Sequence, residues 1–174
     1  MVCSAFGAAE LGLSKTALGA GEWFRLLGFM FVHQNVEHLV VNLVALILAG
    51  AIANEIKLSN VALLAIFFSV GILSALLVLP FTSSILVGAS AGIYGVFGAI
   101  AVKLRDYGTS TPKILSLFAF AIIGSSLIEN FWFQSSDMVI RLSVHLIALF
   151  LSAGFFSILR RKRRHSSAPV RKSR

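Results

Sequence analysis

The chain has little of what a soluble enzyme draws on. Only 7 of its 174 residues are Asp or Glu, and 13% are charged in all. Cysteine occurs once, at Cys3, which excludes an intrachain disulfide and any multi-cysteine metal site. There is no internal repeat and no low-complexity linker before the C-terminal tail. Met1 to Ala9 has no basic stretch ahead of an apolar one, so no cleavable signal peptide is expected.

What is present in excess is apolar surface. Hydrophobic residues make up 57% of the chain, more than a soluble domain of this size can bury. Crossing a bilayer core of about 30 Å takes about 20 residues of apolar helix. Five stretches qualify: Val36 to Ala53, Leu58 to Leu79, Leu86 to Lys103, Ile114 to Glu129 and Met138 to Leu159. The fold class expected is therefore all-α, a polytopic helical membrane protein with about five transmembrane helices. Residues 1–32 form an outer-side loop with an interfacial segment, 33–159 the transmembrane domain, and 160–174 a basic disordered tail. The aromatic run from Trp23 to Phe31, interrupted by Arg25, suits a segment lying at the membrane surface.

The net charge of +8 does not signal nucleic acid, because eight of the 15 Lys and Arg residues lie between Arg160 and Arg174. Such a run holds its end of the chain on the cytoplasmic side. The loop with Lys103, Arg105 and Lys113 belongs on that side too, while Phe81 to Ser84 and Asn130 to Asp137 carry no Lys or Arg. The expected location is a bacterial plasma membrane, with the C-terminus in the cytoplasm and the lipid bilayer as solvent.

Polar side chains inside a span are expensive, so each is a functional candidate. Those singled out are His38, Asn42, Ser90, Tyr94 and His145. Ser90 precedes Lys103 by thirteen residues, or about 20 Å of helix, which leaves it about 10 Å below the outer face. His145 lies at a similar depth in the last span, and His38 and Asn42, spaced i, i+4, share one face of the first. A serine and a histidine are the minimum for nucleophilic acyl transfer, the imidazole taking the hydroxyl proton and returning it to the leaving amine. With no carboxylate near His145, the pair is a dyad. His38, Asn42 and the Ser90 backbone N–H are the oxyanion donors, and Tyr94, four residues after Ser90, packs on the imidazole. Ala91, Gly95 and Ala99 form a small-residue stripe that lets helices approach closely.

Plainer roles compete at each position. A membrane serine often bonds back to a carbonyl one turn earlier, and a lone His or Asn often joins helices. The coincidence of depth favours chemistry. A zinc site is not expected: His33 and His38 flank Glu37 at i, i+5, about 140° apart on a helix, where the metalloprotease pattern needs i, i+4. His33 reads as a structural residue at the outer start of its span, and Phe131-Trp132-Phe133 as an interfacial belt.

These residues, taken in order, resemble the rhomboid proteases. His33, His38 and Asn42 match that family's His-x4-His-x3-Asn pattern, Gly88 and Ser90 its Gly-x-Ser, Tyr94 its following tyrosine, Gly98 its helix-packing glycine and His145 its last-helix histidine. Trp23-Phe24-Arg25 looks like its Trp-Arg loop element. The likeness covers about residues 20 to 155. It implies a rhomboid-like bundle that cleaves transmembrane protein substrates near their outer ends, without cofactor or metal. Ala91, Ala148 and Ser152 stand where the family commonly has Gly, and the helix expected before the Trp23 loop is missing or reduced to Met1 to Ala9. A rhomboid-like protein that binds transmembrane clients without cutting them is the alternative. A transporter is disfavoured, since the spans offer almost no groups to relay ions and no Pro-broken helix pair.

Overall fold

The computed structural model describes residues 8–133 and 138–166. Cys3 and the end of the basic tail lie outside the described residues, as do the side chains of Phe131-Trp132-Phe133.

The N-terminal stretch folds into short pieces rather than a crossing. These are α1 (Ala8–Leu11), α2 (Lys15–Gly19) and α3 (Arg25–Gly28), followed by a 3₁₀ turn over Phe29–Phe31. Ser14 caps α2 by accepting from the Ala17 N–H at 3.2 Å. Arg25 donates to Glu22 at 2.5 Å and to the Gly12 carbonyl at 3.1 Å, drawing the segment into a compact loop. Trp23 and Phe24 face outward, as interfacial aromatics do. Leu13, Phe29 and Met30 are buried, however, so the segment is part of the core and not a layer resting on it.

Helix α4 (Val36–Glu55) opens with Asn35, whose side chain accepts from the His38 N–H at 2.7 Å. It turns through Lys57, at φ +55°, into α5 (Asn60–Val78), capped by Ser59 and extended by a 3₁₀ turn over Leu79–Phe81. The outer faces are apolar: Val44 and Ile47 are 61% and 71% exposed, a surface that lipid covers and water does not. Val36–Glu55, Asn60–Phe81 and Met138–Lys162 are each long and apolar enough to cross a bilayer. The two remaining helices are α6 (Ser90–Lys103) and α7 (Thr111–Phe133), and the last is α8 (Met138–Ser166). This is a helical membrane bundle with no strands among the described residues.

Helix α6 is the hub, packed against α4, α5, α7 and α8 and buried along nearly its whole length. Glycines permit this. A Cβ on Gly92 would lie 2.6 Å from the Phe67 carbonyl oxygen on α5, and one on Gly98 would collide with the Leu149 carbonyl on α8. Met30 wedges its methyl between Gly71 and Gly92. At the C-terminal end of α6, Arg160 of α8 donates to the Val102 carbonyl at 3.2 Å and pairs with Asp106 at 2.5 Å, with Lys103 3.9 Å from the same carboxylate.

Two boundaries differ from expectation. The third span was expected to be helical from Leu86, but α6 starts at Ser90. Leu86 is instead paired in extended conformation with Leu13, each N–H donating to the other's carbonyl at 2.9 and 2.8 Å, and Gly88, at φ +107°, donates to the Phe29 carbonyl at 2.8 Å. Those bonds satisfy a backbone that is irregular at membrane depth, which is tolerated only inside protein or beside water. In the other direction α8 continues past Leu159 to Ser166, into the stretch expected to be disordered. Lys and Arg are good helix formers, and at a C-terminus they complement the negative end of the helix dipole.

Candidate active site

Ser90 is the first residue of α6 and His145 lies on α8. Ser90 Oγ is 2.7 Å from His145 Nε2, joining residues 55 apart in sequence. For the hydroxyl to donate, Nε2 must carry the lone pair and Nδ1 the proton. That Nδ1 is buried and has no hydrogen-bond partner among the described residues, so no carboxylate there orients the ring. The ring of Tyr94 is the neighbour that does, with centroids 4.8 Å apart and planes at 43°. Because Ser90 sits at a helix start, the nearby N–H groups have no intrahelical acceptors and the positive end of the dipole points at the hydroxyl.

His38 and Asn42, one turn apart on α4, converge on Gly88, two residues before the serine. A Cβ at Gly88 would lie 3.1 Å from His38 Nε2 and 3.6 Å from Asn42 Nδ2, so any larger residue would push both away, and φ +107° already favours glycine there. Asn42 is 6% exposed and its Nδ2 donates to nothing among the described residues. A buried amide donor without an acceptor is costly unless something arrives to accept from it. His33 packs edge-on against His38 at 5.2 Å and 77°, and burial lowers its pKa below the ordinary histidine value, against a smaller raising effect of its hydrogen bond with the Phe31 backbone. Among the described residues no group of three or more His, Cys, Asp or Glu is arranged to hold a metal.

Ser90, His145, His38 and Gly88 open onto one cavity of about 60 Å³, shared with Phe29, Gln34 and Arg141. A water needs about 10–15 Å³ of such space, so several fit. Arg141 and Gln34 were not anticipated as site residues. The signal for Arg141 was available: it is a cation inside the Met138 to Leu159 span, one turn before His145.

Comparison with known proteins agrees with this architecture. The model of the rhomboid domain matches residues 20–163. The chain is 32% identical to the rhomboid protease GluP of Bacillus subtilis (strain 168), over 68% of this chain and 24% of that protein. It is 29% identical to rhomboid-related protein 1 of Caenorhabditis elegans, over 71% of this chain and 36% of that one. No solved structure matches. The chain belongs to the rhomboid family, and it spans roughly a quarter to a third of the length of these curated relatives.

Proposed function

We propose that the chain is an intramembrane serine endopeptidase working through a Ser90–His145 dyad on transmembrane protein substrates. The observation that carries this reading is the 2.7 Å contact between Ser90 Oγ and His145 Nε2 at a helix start. As Oγ attacks the scissile carbonyl carbon, Nε2 takes the hydroxyl proton and the carbonyl π electrons move onto oxygen. The oxyanion accepts from the Ser90 N–H, His38 Nε2 and Asn42 Nδ2. The imidazolium then protonates the leaving amine as the C–N bond breaks. Water from the cavity, deprotonated by His145, hydrolyses the acyl-enzyme and restores the hydroxyl. Tyr94 holds the imidazole in place, and His33 keeps His38 aimed inward. Every group needed belongs to this chain or is water.

Ser90 lies about 20 Å from the inner end of α6, so cleavage falls in the outer part of the bilayer of a bacterial plasma membrane, with the C-terminus cytoplasmic. The test is labelling of detergent-purified protein by a fluorophosphonate probe, alongside cleavage of a model single-span substrate. Both are expected in the wild type and neither in Ser90→Ala or His145→Ala, a loss of at least about 10⁴-fold in kcat/KM. Folded wild type that binds the substrate but neither labels nor cuts would establish the non-cleaving client binder instead.

A further inference from the structure

The dyad and its oxyanion donors leave one charged group in the cavity without a role. Arg141 sits on α8 four residues before His145, so both lie on one helix face, with the guanidinium's residue about 6 Å nearer the outer end. It lines the same cavity as Ser90, His38 and His145. Its Nη1 donates to Gln34 Oε1 at 3.3 Å, an exposed contact with the segment preceding α4. Within the apolar Met138–Lys162 helix the next basic residue is Arg160, more than four turns away. A guanidinium inside an apolar span is expensive to keep and by default marks a site.

We infer that Arg141 reads a carboxylate on the substrate, selecting transmembrane proteins that carry Asp or Glu two or three residues from the scissile bond. The inference rests on the protease reading above. A peptide whose carbonyl reaches Ser90 Oγ passes through this cavity and therefore by the guanidinium. Extended chain covers about 3.3 Å per residue, so the one-turn offset between His145 and Arg141 corresponds to about two residues of substrate. The planar five-donor fork of arginine matches a carboxylate. A substrate Lys or Arg in the same place meets a like charge in that setting and is rejected, which gives the site selectivity in both directions.

The experiment uses phosphatidylcholine proteoliposomes and a single-span model substrate bearing Asp, Ala or Lys two and three residues to either side of the cleaved bond. Wild type should favour Asp over Lys by about tenfold or more in kcat/KM at one of these positions. Arg141→Lys should keep the direction of that preference at a reduced ratio, Arg141→Gln should bring it to within about twofold, and Arg141→Glu should invert it. A ratio taken within one variant is insensitive to how much of that variant folds. Binding of the same peptides to Ser90→Ala, read by energy transfer, measures the charge preference without chemistry. Ratios or affinities that ignore charge in every variant overturn the inference. Charge-dependent binding without Ser90-dependent cleavage retains it and sinks the protease reading, whereas Ser90-dependent cleavage blind to charge does the reverse.

Discussion

At its C-terminal end α6 runs into charged groups that pair with one another, although Thr109 Oγ1 and Thr111 Oγ1 just beyond are buried with no partner among the described residues. The Val102 carbonyl accepts from Arg160, and Asp106 is held by Arg160 and Lys103. At its N-terminal end, about three to four turns away, polar atoms are left open: His38 Nδ1, Asn42 Nδ2 and His145 Nδ1 are buried with no partner among the described residues. One helix thus carries two polar regions of opposite kind. Where ion pairs are complete the groups stabilise the bundle, whereas buried polar atoms left without partners are costly unless something arrives to bond them. The packing between the two ends, through Gly92 and Gly98, keeps the open end in place.

The sharpest way to break this contrast is Asn42→Ala. Removing a donor that has nothing to donate to should leave thermal stability in detergent unchanged or higher, while kcat/KM falls by about 10²–10³. Lost stability together with intact cleavage would show Asn42 to be a helix-joining residue. Gly98→Ala attacks the connection: its Cβ meets the Leu149 carbonyl, so α6 and α8 must separate, at about 1–3 kcal/mol measured by reversible unfolding in detergent. Arg160→Ala should behave as the converse of Asn42→Ala, lowering stability by about 0.5–1.5 kcal/mol and leaving the rate constant of the folded enzyme alone. The smallest effect concerns pH. His33 has a folded pKa depressed below the ordinary 6.5 by burial, so the unfolded chain binds more protons between the two values. Its neutral form is accommodated fully above about pH 6.5, and stability declines as pH falls from there through the folded pKa. His33→Gln should flatten that part of a stability-against-pH curve.

Much of the candidate site's geometry was legible because a bilayer turns position along a helix into depth. Counting residues from Lys103 placed Ser90 level with His145, and spacing alone put His38 and Asn42 on one face. The start of α6 was not legible. Leu86 and Val87 are as apolar as the helix that follows, and what holds them extended is a pairing with Leu13, more than seventy residues away. The burial of Leu13 and Met30 was hidden for the same reason: aromatic and aliphatic residues near a membrane surface look alike whether they face lipid or wedge between helices. Arg141 was missed for a different one. A span is recognised by its average, and an average over twenty apolar residues conceals the single exception.

The shortness of α6 has one more consequence. Its 14 residues rise about 21 Å, well under the thickness of the hydrocarbon core. The helix therefore works as a depth gauge whose foot is fixed by Lys103 and Arg160. The height of Ser90 is measured from that foot, by the length of the rod that carries it. Which part of a neighbouring transmembrane segment comes level with that height is then a matter of how thick the lipid is above it.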